Sequence, residues 1–134
     1  MNKKQLWKLV FFGFLTWLIP LAFSFLFYNK EGHLSIDYTL FKTLLIIARA
    51  VVGTPLLALY LDRVRSDYIR QGVLLGALWF LMNIGLDALV LLPWMKISFL
   101  DYLGQIGLRY LSMPMMSIAV GWLLTRREDV YSRD

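Results

Sequence analysis

The 134-residue sequence contains no cysteine, which excludes disulfide bonds, thiolate metal sites and cysteine nucleophiles. It contains a single histidine, His33, and one histidine cannot form a histidine-rich metal site or a haem site with two histidine ligands. The motifs GxSxG and HExxH, the phosphate-binding glycine loop and the dinucleotide fingerprint are also missing from the sequence. We therefore predict no catalytic residues, no metal and no cofactor, and an enzyme is the less favoured class of protein.

Long apolar runs dominate what is present. Apolar residues make up 59% of the chain, which is too high for an ordinary soluble domain. Four runs reach roughly 20 residues, the length that a helix needs to cross the hydrocarbon core of a bilayer. We predict an all-α fold with a single domain, residues 1–134, in which four transmembrane helices form a bundle. The predicted spans cover about residues 6–28, 38–61, 70–94 and 101–124.

The first run resembles a secretory signal peptide. It begins with basic residues, continues as an apolar run and then reaches Ala22, Phe23 and Ser24, which are similar to a cleavage site. The apolar run continues past this point as far as Tyr28. We therefore expect the segment to be retained as the first helix.

Basic residues near the predicted helix ends lie mostly on one side of the membrane. Nine lysines and arginines flank the side that carries both termini, and three flank the other side. The positive-inside rule then places both termini in the cytoplasm, in a multi-pass protein of the cytoplasmic (inner) membrane. The net charge of +5 is explained by this topology, so nucleic acid is not an expected partner.

Small and polar residues of the third span recur at helical spacing, so that Gly72, Gly76, Asn83 and Asp87 share one face of the helix. Gly72 and Gly76 form a GxxxG pattern, which allows two helix backbones to approach closely. Packing inside the bundle is the favoured interpretation of this pattern, and a dimer interface is the alternative.

Three charged residues lie well inside the predicted spans. Asp87 precedes Trp94 by seven residues, and Arg109 follows Asp101 by eight. At about 1.5 Å per residue, both lie roughly 10–12 Å below the outer boundary, and Arg49 lies about one turn deeper. A charge at the bilayer centre costs about 2.5–3.5 kcal/mol on insertion scales. We therefore predict that Asp87 pairs with Arg109 or Arg49, with the second span against the third.

These charges suggest a site that opens to the outer half of the bilayer. The predicted buried polar cluster consists of Arg49, Asn83, Asp87, Gln105 and Arg109, with Lys42 and Asp101 at its outer mouth. Two arginines against one aspartate leave one positive charge uncompensated, which suits a small anionic solute or a lipid headgroup.

Three functional hypotheses remain open. The first is binding or passage of such an anion by an oligomer of this chain, or together with a membrane-protein partner. The second is a structural or assembly subunit that transports nothing and in which Arg–Asp pairs only lock helices together. The third is chemistry at the site, including proton coupling through Asp87. Apart from the lipid bilayer, an anionic small molecule or lipid is the expected ligand.

Overall fold

A computed structural model of the chain describes residues 2–133, without the side chain of Met95. The predicted domain of residues 1–134 therefore includes Met1 and Asp134, which lie outside the described residues. The described chain is helical apart from its loops and an isolated bridge between Tyr28 and Leu34. The α-helices are α1 Lys3–Ser24, α2 Tyr38–Leu61, α3 Tyr68–Met95, α4 Phe99–Gln105 and α5 Ser112–Tyr131. Two 3₁₀ segments, Phe25–Phe27 and Gly107–Leu111, follow α1 and α4.

Three helical stretches are long and apolar enough to cross a membrane. They are Lys3–Phe27, Tyr38–Leu61 and Tyr68–Trp94, with mean hydropathies of 2.2, 2.1 and 2.0. They correspond to the first three predicted spans and indicate a multi-pass membrane protein.

Asp37 marks the start of α2, because its carboxylate accepts hydrogen bonds from the backbone N–H groups of Thr39 and Leu40.

The predicted fourth span is not one continuous helix. α4 ends at Gln105, and the chain turns at Ile106, where φ is −129° and ψ is −50°. Gly104 and Gly107 flank this turn, and glycine is a poor helix former. Pro114 lies in the first turn of α5, where a missing N–H removes no helical hydrogen bond.

The helix α5 runs beyond the predicted end of the fourth span at residue 124. Its C-terminal part carries four consecutive charged residues, 126–129, and α5 is not among the helices that are apolar enough to cross a membrane. A four-helix membrane bundle is therefore not confirmed by the hydropathy of the observed helices.

The helices do not pack in the expected order. α3 packs most extensively against α5, and α1 packs against both α2 and α3. α2 contacts α3 and α5 only marginally, so the predicted packing of the second span against the third is not observed as a main interface. The reason is that α1 supplies the partner surface for both helices. A cleft consequently remains between α2 and the chain that runs from α4 to α5.

Small residues bring α3 and α5 into close contact. A Cβ atom added at Gly72 would lie 2.5 Å from the carbonyl oxygen of Ser117, and one added at Gly76 would collide with Ser117 and Pro114. The Ser117 hydroxyl also donates a 2.8 Å hydrogen bond to the carbonyl of Gly72. The GxxxG face is therefore covered by α5 of the same chain.

The apolar core lies on the side of the bundle that contains the start of α1 and the end of α2. It is built from Leu9, Leu57, Tyr60, Leu61, Leu75 and Trp79. The indole N–H of Trp79 donates a 2.9 Å hydrogen bond to the carbonyl of Leu9, which fixes α3 to α1. The polar residues of α3 lie beyond this core, toward the other end of the helix.

We expect Gly76→Ala to lower the stability of the protein, because the added methyl group would overlap with atoms of Ser117 and Pro114. Overpacking of this kind typically costs about 1–3 kcal/mol. The measurement is the Tm of the purified protein in detergent. Gly85→Ala is the matched control on the same helix, since no atom lies within 4 Å of a Cβ at Gly85. An equal Tm for the two variants would contradict the close α3–α5 contact.

Candidate functional site

The carboxylate of Asp87 is the most deeply buried charge of the predicted cluster, with the residue 1% exposed. The indole N–H of Trp17 donates a 2.7 Å hydrogen bond to Oδ1, and the hydroxyls of Tyr102 and Tyr110 each donate a 2.6 Å hydrogen bond to Oδ2. Within residues 2–133 no arginine or lysine forms an ion pair with this carboxylate. The predicted pairing of Asp87 with Arg109 is therefore not formed.

The three donors come from different parts of the chain. Trp17 lies on α1, Tyr102 on α4 and Tyr110 in the 3₁₀ segment that precedes α5. A buried carboxylate must be satisfied by hydrogen bonds, and bonds to an ionised acceptor are among the stronger ones in proteins. The turn at Ile106 redirects the chain between the two tyrosines, so that both hydroxyls reach one oxygen. Asp87 thus holds α1 and the interrupted segment onto α3.

Asn83 lies one helical turn from Asp87 and is fully buried. Its amide nitrogen donates to the hydroxyl of Thr16 at 3.1 Å and to the carbonyl of Trp79 at 2.8 Å. The Thr16 hydroxyl in turn donates to the carbonyl of Gly13 at 2.6 Å. Asn83 therefore connects α3 to α1, in the same way as Asp87 one turn further on.

Arg49 on α2 has no acidic partner among the described residues. Its guanidinium lies over the ring of Tyr110, with Cζ 4.5 Å from the ring centroid, a distance typical of a cation–π contact. The Nε atom is buried and has no hydrogen-bond partner within the described chain. Arg49 is thus connected to Asp87 only indirectly, through the aromatic ring whose hydroxyl binds the carboxylate.

Arg109 is half-buried and lies in the 3₁₀ segment beside Tyr110. Its guanidinium forms no hydrogen bond and no ion pair with any residue that the structure describes. Arg109 and Arg49 line the same two cavities. The structure therefore brings the two arginines to one place while leaving both without a carboxylate partner in the described chain.

One cavity lies at the end of the bundle that the sequence predicts to face outward and is called the outer cavity. It has a volume of about 120 Å³ and contains Asp87, both arginines and Lys42 in its wall. Tyr28 also lines this cavity and contributes a phenol hydroxyl, which is a neutral hydrogen-bonding group. The outer cavity therefore combines three basic side chains with the carboxylate of Asp87 and with uncharged groups.

The inner cavity has a volume of about 190 Å³ and lies between α2 and α5. Arg49 and Arg109 lie at the end that it shares with the outer cavity. The rest of its wall is mainly apolar and is formed by Ile46, Ala50, Gly53, Thr54, Leu57, Trp79, Tyr110, Ser112, Met113 and Met116. The two cavities therefore differ in polarity and meet at the arginine pair.

The other predicted site residues lie at the edge of this region or outside it. Lys42 is half-buried, with its ammonium 4.1 Å from the centroid of the Tyr38 ring. Asp101 is exposed in the first turn of α4. Gln105 is exposed and lines neither cavity. Gln105 therefore does not belong to the buried cluster, because α4 ends at this residue and the chain changes direction after it.

Sequence reasoning missed the partners of Asp87. The sequence pattern assigns no role to Trp17 or to Tyr102. A signal for Tyr110 was available: it lies beside Arg109, far from both predicted interfaces, and a phenol at that depth needs a hydrogen-bond acceptor. Asp87 is predicted at nearly the same depth in the membrane as Tyr110, so it is the acidic residue that could accept this hydrogen bond.

The described residues contain no group of three His, Cys, Asp or Glu side chains that is placed to hold a metal ion. No protein-family model, curated protein or solved structure matches the chain. The chemistry of the site is therefore interpreted from its own geometry.

We expect Asp87→Asn to destabilise the fold, because an amide NH₂ group would replace one of the oxygens that accept from Trp17, Tyr102 and Tyr110. A hydrogen bond to a charged group contributes about 1.5–3 kcal/mol, so the loss should be a few kcal/mol and should lower the Tm clearly. Asp101→Asn is the control, since Asp101 is exposed. A Tm for Asp87→Asn equal to that of the wild type would show that the carboxylate does not hold the helices together.

Proposed function

We propose that this membrane protein binds an anionic group, a phosphate or a carboxylate, between the guanidinium groups of Arg49 and Arg109. One observation supports the proposal above all others. Both arginines line the same two cavities and have no acidic partner in the described chain, while the buried carboxylate of Asp87 is already satisfied by neutral donors.

The electrostatic argument follows from this arrangement. Arginines that lie at membrane depth are costly unless an opposite charge or hydrogen-bond acceptors compensate them. Asp87 compensates Arg49 only at a distance, through Tyr110. An anion between the two guanidinium groups would accept their free N–H donors directly. Guanidinium groups suit phosphate and carboxylate in particular, because they can donate two parallel hydrogen bonds to either group.

We further propose that α4, the 3₁₀ segment and α5 together form a fourth membrane crossing, with both termini in the cytoplasm. The distribution of basic residues supports this topology, because nine lie on the side of the termini and three on the other. The extensive packing of α5 along α3 is consistent with two neighbouring crossings. In this orientation the outer cavity opens toward the outer leaflet of the cytoplasmic membrane.

Passage of the anion across the membrane, as distinct from binding, would require an oligomer, because a single small bundle offers little room for a pathway. The alternative is a structural or assembly subunit that binds no ligand. This alternative is supported by Asp87, which is buried and accepts hydrogen bonds on both carboxylate oxygens. These bonds connect α1 and the chain around Ile106 to α3. The two proposals differ in what Arg49 and Arg109 do.

The topology can be tested with single cysteines, since the native chain has none. We expect a membrane-impermeant maleimide to label the Lys30→Cys variant in intact cells. The Ser66→Cys and Arg133→Cys variants should react only after the membrane is permeabilised. Labelling of Arg133→Cys in intact cells, with Ser66→Cys protected, would mean that the chain crosses the membrane three times.

Anion binding can be measured by the thermal shift of the purified protein in a non-ionic detergent, with inorganic phosphate or oleoyl lysophosphatidate added at constant ionic strength. We expect a concentration-dependent rise in Tm for the wild type. Arg49→Gln and Arg109→Gln should each weaken the apparent affinity about tenfold or more, the effect of losing one hydrogen bond to a charged group.

The matched control is Arg63→Gln, because Arg63 is exposed in the loop that follows α2 and lines neither of the two cavities. This variant should respond to both ligands as the wild type does. If neither ligand shifts the wild type, or if all three variants respond alike, the anion proposal fails and the structural alternative is favoured.

A further inference from the structure

We infer that the anion is the headgroup of a lipid-like amphiphile, and that the inner cavity holds the hydrocarbon chain attached to it. The inference rests on the proposed anion site at Arg49 and Arg109 and adds the second half of the ligand. Its starting point is that both arginines line the inner and the outer cavity alike. A group bound between them would therefore face both spaces.

The inner cavity extends away from the arginines along α2. Arg49, Gly53 and Leu57 succeed one another at four-residue spacing and lie on one face of the helix. From Arg49 to Leu57 the helix rises about 12 Å. The cavity wall thus extends at least about 12 Å along α2 from the charged residue.

The chemistry of the wall changes along this length. Beyond the arginines the wall is formed mainly by aliphatic, aromatic and methionine side chains, with Thr54 and Ser112 as hydroxyl-bearing members. Methionine side chains are flexible and adapt to irregular apolar partners. A free phosphate would use only the arginine end, whereas an anionic head joined to a hydrocarbon chain matches both the charge at one end and the apolar wall at the other.

Gly53 shows that the protein does not fill this space itself. No atom lies within 4 Å of a Cβ built at Gly53, although the residue lies in the wall of the inner cavity. α2 also contacts α5 only marginally, so the cleft is open between the two helices. In a bilayer an apolar cleft of this kind is accessible to hydrocarbon chains.

Three related ligands can distinguish the contribution of the anionic headgroup to binding from that of the hydrocarbon chain. Oleoyl lysophosphatidate carries both, glycerol 3-phosphate carries the head alone, and monooleoyl glycerol carries the chain without the charge. We expect the largest rise in the Tm of the detergent-purified wild type with oleoyl lysophosphatidate, a smaller rise or none with glycerol 3-phosphate, and none with monooleoyl glycerol.

The decisive variant is Gly53→Phe, which places an aromatic ring in the inner cavity without displacing any protein atom near its Cβ. Gly85→Phe is the matched control, since Gly85 is also a helical glycine with nothing within 4 Å of its Cβ and lines neither cavity. Gly53→Phe should lose the extra shift that lysophosphatidate gives over glycerol phosphate. Gly85→Phe should keep it. Gly53→Leu replaces Gly53→Phe if the larger side chain prevents purification.

The outcomes separate this inference from the proposed anion site. Equal, arginine-dependent shifts with glycerol phosphate and lysophosphatidate, both unchanged by Gly53→Phe, would overturn the inference and leave the anion site standing. Shifts that do not depend on Arg49 or Arg109 would overturn both. If Gly53→Phe instead converts an oligomer to a monomer in a detergent-solution mass measurement and leaves the ligand shifts unchanged, a helix of a second copy occupies the cleft and the inference is wrong.

Discussion

A buried carboxylate held by neutral donors is the interaction on which the polar half of this protein depends. Asp87 receives one indole and two phenol hydrogen bonds and thereby draws α1 and the interrupted chain around Ile106 onto α3. Because these donors carry no charge, the carboxylate is satisfied without an arginine. Tyr110 serves twice, since its hydroxyl binds Asp87 and its ring supports the guanidinium of Arg49. Arg49 is thus positioned by a tyrosine that binds the carboxylate, and its guanidinium keeps no acidic partner in the described chain.

The helix α3 divides into two parts with different physical tasks. Around Gly72 and Gly76 the absence of side chains allows α5 to lie directly against the α3 backbone, which gives stability through close van der Waals contact. Around Asn83 and Asp87 the helix instead uses polar side chains to hold α1 and the broken segment. α2 takes part in neither contact to any extent, and the cleft with both arginines results from its separation from α3 and α5.

The all-helical fold and the first three spans follow from hydropathy, because a backbone in lipid must satisfy its hydrogen bonds within a helix. The same reasoning predicts buried Asn83 and Asp87, which the structure shows. The predicted arginine partner of Asp87 is wrong. The depth of a residue in the membrane can be counted along its helix, whereas the rotation of each helix about its axis and the order in which helices pack cannot be read from the sequence. The sequence pattern also does not reveal that α1 packs more extensively along α3 than α2 does. The interruption at Ile106, which is flanked by two glycines, leaves Tyr102 buried and Gln105 exposed, although Gln105 is predicted to be buried.

The limited packing of α2 against α3 and α5 has an evolutionary consequence. A Cβ at Gly53, on the cleft-facing side of α2, meets no neighbouring atom of the same chain, so packing leaves room for a larger side chain at this position. Leu57 and Leu61 of the same helix lie in the apolar core and stay constrained by their neighbours. The cleft at Gly53 can therefore change in size or polarity while the core and the buried carboxylate stay the same.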